Sequence, residues 1–263
     1  MKVVYHFPAG LVALVLVLST LVSIEIGHRL GRRWVARGHK HGEEEEATSL
    51  VKTTVMGLLG LLLAFSFSFS AERYDDRLKI NWREANAIDT AYLRSAALTD
   101  GARVRVRQLF RQYIEARIEY ATTPATDDRL VAIDVESERL QTELWHAAVD
   151  EAHRDPKDLT IALLLQSLNE VIDVAAEQRA ARRNRVPITI LMMLFVSTLF
   201  ASALVGFSTK LKAVRNLPVW VIFAALVGIV IFTILDLDRP RQGLIRVDVD
   251  ALLSVRAHML RNE

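Results

Sequence analysis

Residues 51–86 read VKTTVMGLLGLLLAFSFSFSAERYDDRLKINWREAN, an apolar run that passes without a break into a charged one. The apolar part, Val51 to Ser70, holds about 20 residues, or about 30 Å of helix, which matches the hydrocarbon core of a bilayer. Three further stretches have the same character: Phe7 to Ile26, Pro187 to Phe207 and Leu217 to Leu235. They stand as two pairs at either end of the chain, with a polar block between them. The pattern predicts an all-α membrane protein: four transmembrane helices in two hairpins flanking a four-helix extramembrane block. By residue number, the spans are 1–27, 51–70, 187–207 and 217–236. A charged loop at 28–50, the block at 71–186, a short loop at 208–216 and a tail at 237–263 complete the chain.

Composition agrees with this division. Hydrophobic residues make up 51% and charged residues 24% of the chain, so the two must be segregated. A net charge of +2 gives no basic field of the kind that binds nucleic acid. Cysteine is absent, which removes disulfides, thiolate nucleophiles and cysteine metal sites together. The first span follows Lys2 as a signal peptide would. However, Glu25 and His28-Arg29 come next in place of a small-residue cleavage site, so an uncleaved helix is expected. The loop after it splits into a basic half (Arg29, Arg32, Arg33, Arg37, Lys40) and an acidic half (Glu43 to Glu46), as a solvated loop beside lipid headgroups would. His39 and His41 with those glutamates make too sparse a pattern for a metal site, and no metal or cofactor is expected.

The second span has no Gly or Pro between Ala64 and Leu98, so it is expected to continue as helix into the block. There Leu78, Trp82, Ala85, Tyr92 and Ala96 fall at helical spacing. Thr99-Asp100-Gly101 opens a second helix with Val106, Leu109, Phe110, Tyr113 and Tyr120 on one side. Thr126, before Asp127-Asp128, is an N-cap for a third, whose stripe is Leu130, Ile133, Ser137, Leu140 and Leu144. Asp155, with Pro156 in the first turn, starts a fourth, carrying Leu165, Leu168, Ile172 and Ala175 on one face. That helix is expected to run on into the third span, kinked near Pro187.

Catalytic patterns are missing. None of the seven histidines has zinc-protease spacing, and there is no nucleophile elbow, dinucleotide fingerprint or phosphate loop. No enzyme activity is expected. The second span is more telling. Gly57, Gly60, Ala64, Ser68 and Ala71 form a stripe of small residues, suited to close helix packing or to a narrow pore. Phe65, Phe67 and Phe69 alternate with Ser66, Ser68 and Ser70. The serines can simply bond back to the helix at a packing contact. Alternatively, apolar rings gate a pore by dewetting and hydroxyls replace an ion's water, which makes Phe65, Phe67, Phe69, Ser66 and Ser70 the pore and neck candidates.

The stretch that follows resembles the end of the second transmembrane helix of bacterial bestrophins, through Tyr74, Asp75, Arg77, Lys79, Trp82 and Asn86. It is more similar still to the bacterial family called bestrophin-like. The shared features are the Gly57 to Phe65 span, the Glu84 to Ile88 segment with Thr90 to Arg94, and Asp236-Leu237-Asp238-Arg239-Pro240 with Gly243-Leu244-Ile245 at the end of the last span. The resemblance covers nearly the whole chain. It implies a homo-oligomer, pentameric by analogy, in a bacterial inner membrane, conducting an inorganic anion such as chloride. The second span would line the pore. Asp236 and Asp238 would be structural or would bind a cation; two carboxylates beside Arg239 need no metal.

Orientation is balanced. Counting only short basic segments puts the two loops in the cytoplasm. Counting the basic flanks of the block, and following the resemblance, puts the termini and block there, and this is the orientation adopted. A non-conducting, membrane-anchored helical scaffold or sensor is the rival reading, since close packing and pore lining both favour small residues.

Overall fold

The computed structural model describes residues 7–37, 43–124, 128–209, 216–239, 243–245 and 248–261. Among them there are eight α-helices and no strand: α1 (Ala9–Ala36), α2 (Glu43–Arg94), α3 (Asp100–Thr122), α4 (Arg129–Arg154), α5 (Leu159–Arg183), α6 (Ile188–Ser208), α7 (Leu217–Leu237) and α8 (Asp250–Arg261). The chain divides into two compact units, residues 1–73 with 186–239, and residues 74–185 with 240–263. Five helices are long and apolar enough to cross a membrane: α1, α2, α5, α6 and α7. The fifth candidate beyond the expected four is α5. The expected cap Thr126, the loop histidines His39 and His41, and Pro240 lie outside the described residues.

In the first unit, α1 packs against α6 and α7. The α1–α6 contact is set by small residues. A methyl group on Gly27 would lie 2.0 Å from the Ala203 carbonyl oxygen, and one on Gly206 would lie 1.9 Å from that of Ile24. Thr20, Thr198, Ala201 and Ser202 are buried along the same crossing, and Ser23 Oγ donates to the Leu199 carbonyl at 2.7 Å. Lipid offers helices no hydrophobic reward for associating, so backbone approach of this kind supplies the attraction. Ala9, Leu16, Val227, Ile231 and Leu235 fill the rest of the core.

The second unit gathers the end of α2 with α3, α4, α5 and α8 around Ile88, Tyr92, Phe110, Leu140, Leu144 and Leu164. The expected stripes of α3 and α4 are buried as read. Four expectations need correction. The fourth block helix does not run on into the next span: α5 stops at Arg183 and α6 begins at Ile188. Pro187 has no N–H to give and disfavours helix at Val186, so the chain breaks where a kink was expected. The N-cap of α5 is Asp158, not Asp155. The Asp158 carboxylate accepts from the Thr160 N–H at 2.7 Å, whereas that of Asp155 takes the Lys157 N–H at 3.2 Å in a local turn. The buried line of α5 is Ile161, Leu164, Leu168, Val171 and Ala175, with Leu165 and Ile172 only half-buried. Finally, the tail is not an appendage, because α8 buries Leu252, Val255 and Met259 in the block's core.

The glycines of α1 and α6 and those of α2 should respond oppositely to substitution. Gly27→Ala forces a methyl into a carbonyl and should cost about 3 kcal/mol or more. Gly60, with nothing within 4 Å of an added Cβ, should be neutral or gain up to about 1 kcal/mol as alanine, from helix propensity. Thermal denaturation of the two variants in detergent checks the contrast.

Candidate functional site

α2 has one inward face along its whole described length. Leu59, Ser66, Ser70, Arg77, Asn81, Glu84, Ile88 and Ser95 are buried at successive intervals of three, four or seven residues, the last just beyond the helix end. Val55, Met56, Leu62 and Leu63 flank this line half-buried, Leu63 against the core of the first unit, and most of the remaining apolar half is exposed. Phe65 is 54% exposed and Phe69 50%, and Phe67, on the other side of the helix, is exposed as well. Gly57 and Gly60 have nothing within 4 Å of where a Cβ would sit. The small-residue stripe is therefore not used for packing inside the protomer, whereas Gly27 and Gly206 are. Ser66 and Ser70, read from sequence either as hydroxyls at a packing contact or as hydroxyls for a pore, are buried inside the protomer.

The motif residues after the span divide in the same way. Arg77 Nη2 donates to the Asn184 carbonyl at 3.0 Å, placing a cation at the C-terminus of α5, where the helix dipole favours it. Tyr74 is half-buried and Asp75 exposed, the latter paired with Lys79 at 2.6 Å in an exposed contact of little energetic weight. Of the stripe expected in this segment Ala85 and Tyr92 are buried and Leu78 half-buried, whereas Trp82 is 63% exposed and Ala96 is exposed too. Asn86 is exposed beside Trp82.

Glu84 belongs to a buried polar network that the sequence reading missed. Arg117, with no exposure at all, donates from Nε to Glu84 and from Nη2 to Gln178. Gln178 Nε2 donates in turn to Asn81 Oδ1 at 2.7 Å and Glu84 Oε2 at 2.8 Å. The Arg117 guanidinium also lies 4.4 Å from the ring centre of Tyr120. Burial alone would weaken the Arg117 cation, but Glu84, together with Tyr113 and Tyr120, outweighs it and holds the group above its ordinary range. Burial likewise pushes the Tyr113 phenol up to about 12, against the opposing pull of Arg117, so it stays neutral and accepts from Gln141 Nε2 at 2.8 Å. The partners come from three places remote in sequence, Asn81 with Glu84, Arg117 and Gln178, and carry no local signal, although Glu84 does fall on the helical face shared by Arg77, Asn81 and Ile88.

At the end of α7 the acidic pair and Arg239 act as a clamp. Both oxygens of Asp238 accept from the Val186 N–H at 3.2 Å, and Arg239 Nη1 donates to the Phe7 carbonyl. Phe7 and Val186 each precede a proline that caps a helix, Pro8 for α1 and Pro187 for α6. The Arg239 N–H goes to the Asp236 carbonyl at 3.0 Å. All three side chains are buried. Among the described residues no group of three or more acidic or histidine side chains is placed to hold a metal ion.

The buried pair is open to a direct test. Glu84→Gln leaves the Arg117 charge without its counter-ion and should cost about 3–5 kcal/mol, whereas the paired replacement Glu84→Leu with Arg117→Met should cost much less. Denaturant titration of helical signal on both variants distinguishes the two results.

The fold has solved counterparts. A bacterial bestrophin homologue from Klebsiella pneumoniae, in a single-substitution form, superposes with a TM-score of 0.71 at 14% identity, over 95% of this chain and 96% of that one. The structure of that homologue determined by zinc phasing gives 0.67 at 15% identity, with the same coverage. No curated protein matches the sequence. The bestrophin-like domain matches from residue 15 to residue 252, and with the helices described above this makes the chain a membrane protein of the bestrophin-like family.

Proposed function

We propose that the chain is a homo-oligomeric ion channel in which α2 lines the pore, and that α1, α2, α6 and α7 are its four spans. The observation that carries this reading is the outward face of α2. A helix that exposes Phe65, Phe69, Gly57 and Gly60 to nothing in its own protomer, in a protein of this family, has its partner in other copies of the chain around a shared axis. Phe65 and Phe69, which share a face, are then the neck, an apolar constriction that gates by dewetting, while Phe67 lies on the other side of the helix. Ser66 and Ser70 pack inside the protomer. The fifth apolar helix, α5, stays in the block, where Leu164, Leu168 and Val171 are core residues. Chloride is the proposed ion and the pentamer the proposed assembly, both by analogy with bestrophins. Asp236 and Asp238 serve as the clamp described above and not as an ion site.

Flux from liposomes holding the purified protein, with chloride and potassium gradients applied separately, tests conduction and selectivity together. Chloride flux should exceed potassium flux. Phe65→Ala or Phe69→Ala should raise it by about tenfold or more, because a wider, wetter neck lowers the barrier. Silence for both ions in a verified oligomer, with both variants silent too, would favour a non-conducting scaffold.

The block and termini are proposed to be cytoplasmic. The absence of native cysteine makes labelling clean. On intact cells, an impermeant thiol reagent should label Ser49→Cys and leave Asp128→Cys untouched; the opposite pattern reverses the orientation.

A further inference from the structure

The second unit holds an open polar cavity of about 360 Å³ between α2 and α5. Arg83, Asn86, Thr90 and Arg94 line it from α2, and Ser167 and Glu170 from α5. The α2 residues recur at intervals of three, four and four, so they share one face of the helix. Its two arginines are held in different ways. Arg83 donates from Nη1 to Glu177 at 2.7 Å and from Nη2 to Glu170 at 3.3 Å. Arg94 donates from Nη1 alone, to the Leu163 carbonyl at 2.9 Å and to Ser167 Oγ at 2.6 Å. Ser167 is buried, and its own hydrogen goes to the same Leu163 carbonyl at 2.9 Å.

Arg94 is therefore fastened by neutral groups. Among the described residues no carboxylate pairs with it, and its Nε–Nη2 edge makes no hydrogen bond. That edge carries two parallel N–H groups, the spacing that two oxygens of one carboxylate or phosphate match. Because Nη1 is already tied to α5, much of the entropy lost in fixing an arginine is spent before a ligand arrives. The side chains of Asn86 and Thr90 likewise make no hydrogen bond to a described residue, which leaves an amide and a hydroxyl to donate into the same space. Glu170, the acid in the wall, has Arg83 as its counter-ion.

We propose that this cavity binds a small oxyanion, a carboxylate or a phosphate, on the Nε–Nη2 edge of Arg94. Two of its oxygens accept from that edge, and Thr90 and Asn86 donate to the lone pairs that remain. Ser167 is a positioning residue, which holds Nη1 and so turns the fork. Chloride offers one centre where the fork calls for two, so the site favours oxyanions over halide. The inference does not depend on conduction, and its test does not measure it.

The test is isothermal titration calorimetry on the full-length protein in detergent and Tris chloride buffer, with inorganic phosphate, acetate and further sodium chloride as separate titrants. The expected result is saturable binding of at least one oxyanion and none of the added chloride. Phosphate alone binding assigns the tetrahedral anion, and acetate alone the planar one. Arg94→Gln should weaken binding about tenfold or more, the loss of a charged donor pair. Thr90→Val keeps the shape of an exposed side chain and removes only its hydroxyl, so it should weaken binding about threefold. This second variant decides the matter if Arg94→Gln does not fold. No saturable binding of either oxyanion, chloride binding as tightly, or an affinity unmoved in Arg94→Gln or in Thr90→Val would overturn the proposal.

Discussion

The contact on which the first unit depends is the crossing of α1 and α6 at Gly27 and Gly206. In lipid, helices separate as readily as they meet unless their backbones fit closely, and here the fit leaves no room for a single methyl group. Ser23, Thr20, Thr198 and Ser202 share that crossing without pushing it apart. α7 then closes against α1, with Gly228 admitting the side chain of Val17. With three helices settled in this way, α2 contributes an inward line of Leu59, Ser66 and Ser70, with Leu63 packed half-buried beside it. Its glycines and phenylalanines are left facing away. The division between a helix trio packed by small residues and a fourth helix with its small residues unused is what gives the functional proposal its direction.

Much of this was legible in the sequence because it follows from local pattern. Length and hydropathy marked the apolar helices, and three-and-four spacing picked out the buried stripes of α3 and α4 residue by residue. The reading failed where the deciding partner was distant. Gly27 meets Ala203, and Ser66 and Ser70 turn inward because of helices remote in sequence, so the choice between close packing and pore lining for the small-residue stripe on α2 could not be made from α2 alone. Trp82 misled for a related reason: size and apolarity suggested burial, but the inward face of that segment carries Arg77, Asn81 and Glu84. Local chemistry was also underweighted in two places. The pre-proline restriction at Val186 ends α5 outright, and Leu252, Val255 and Met259 already had the spacing of a short amphipathic helix.

The second unit buries an ion pair, Arg117 with Glu84, in its interior. Arg117, Glu84, Gln178 and Asn81 come from three helices and bond mainly to one another and to a ring face, Asn81 also donating to the Asp248 carbonyl at 3.3 Å. Such a group contributes little net stability, since desolvation offsets the attraction, but it accepts few alternative arrangements. α8 is tied to the same unit by Tyr92 Oη, which donates to the Met259 carbonyl at 3.2 Å, and by His258 Nδ1, 2.6 Å from Asp89.

The clamp at the end of α7 has a consequence for how the protein is made. Asp238 and Arg239 hold the backbone of Val186 and Phe7, the residues just ahead of the two helix-capping prolines. A ribosome that has delivered α1 and even α6 has not yet supplied the residues that fix where those helices begin. During synthesis, therefore, the N-terminal ends of α1 and α6 stay unfastened until the chain has been extended through Arg239, and the last apolar helix to enter the membrane is the one that closes the bundle.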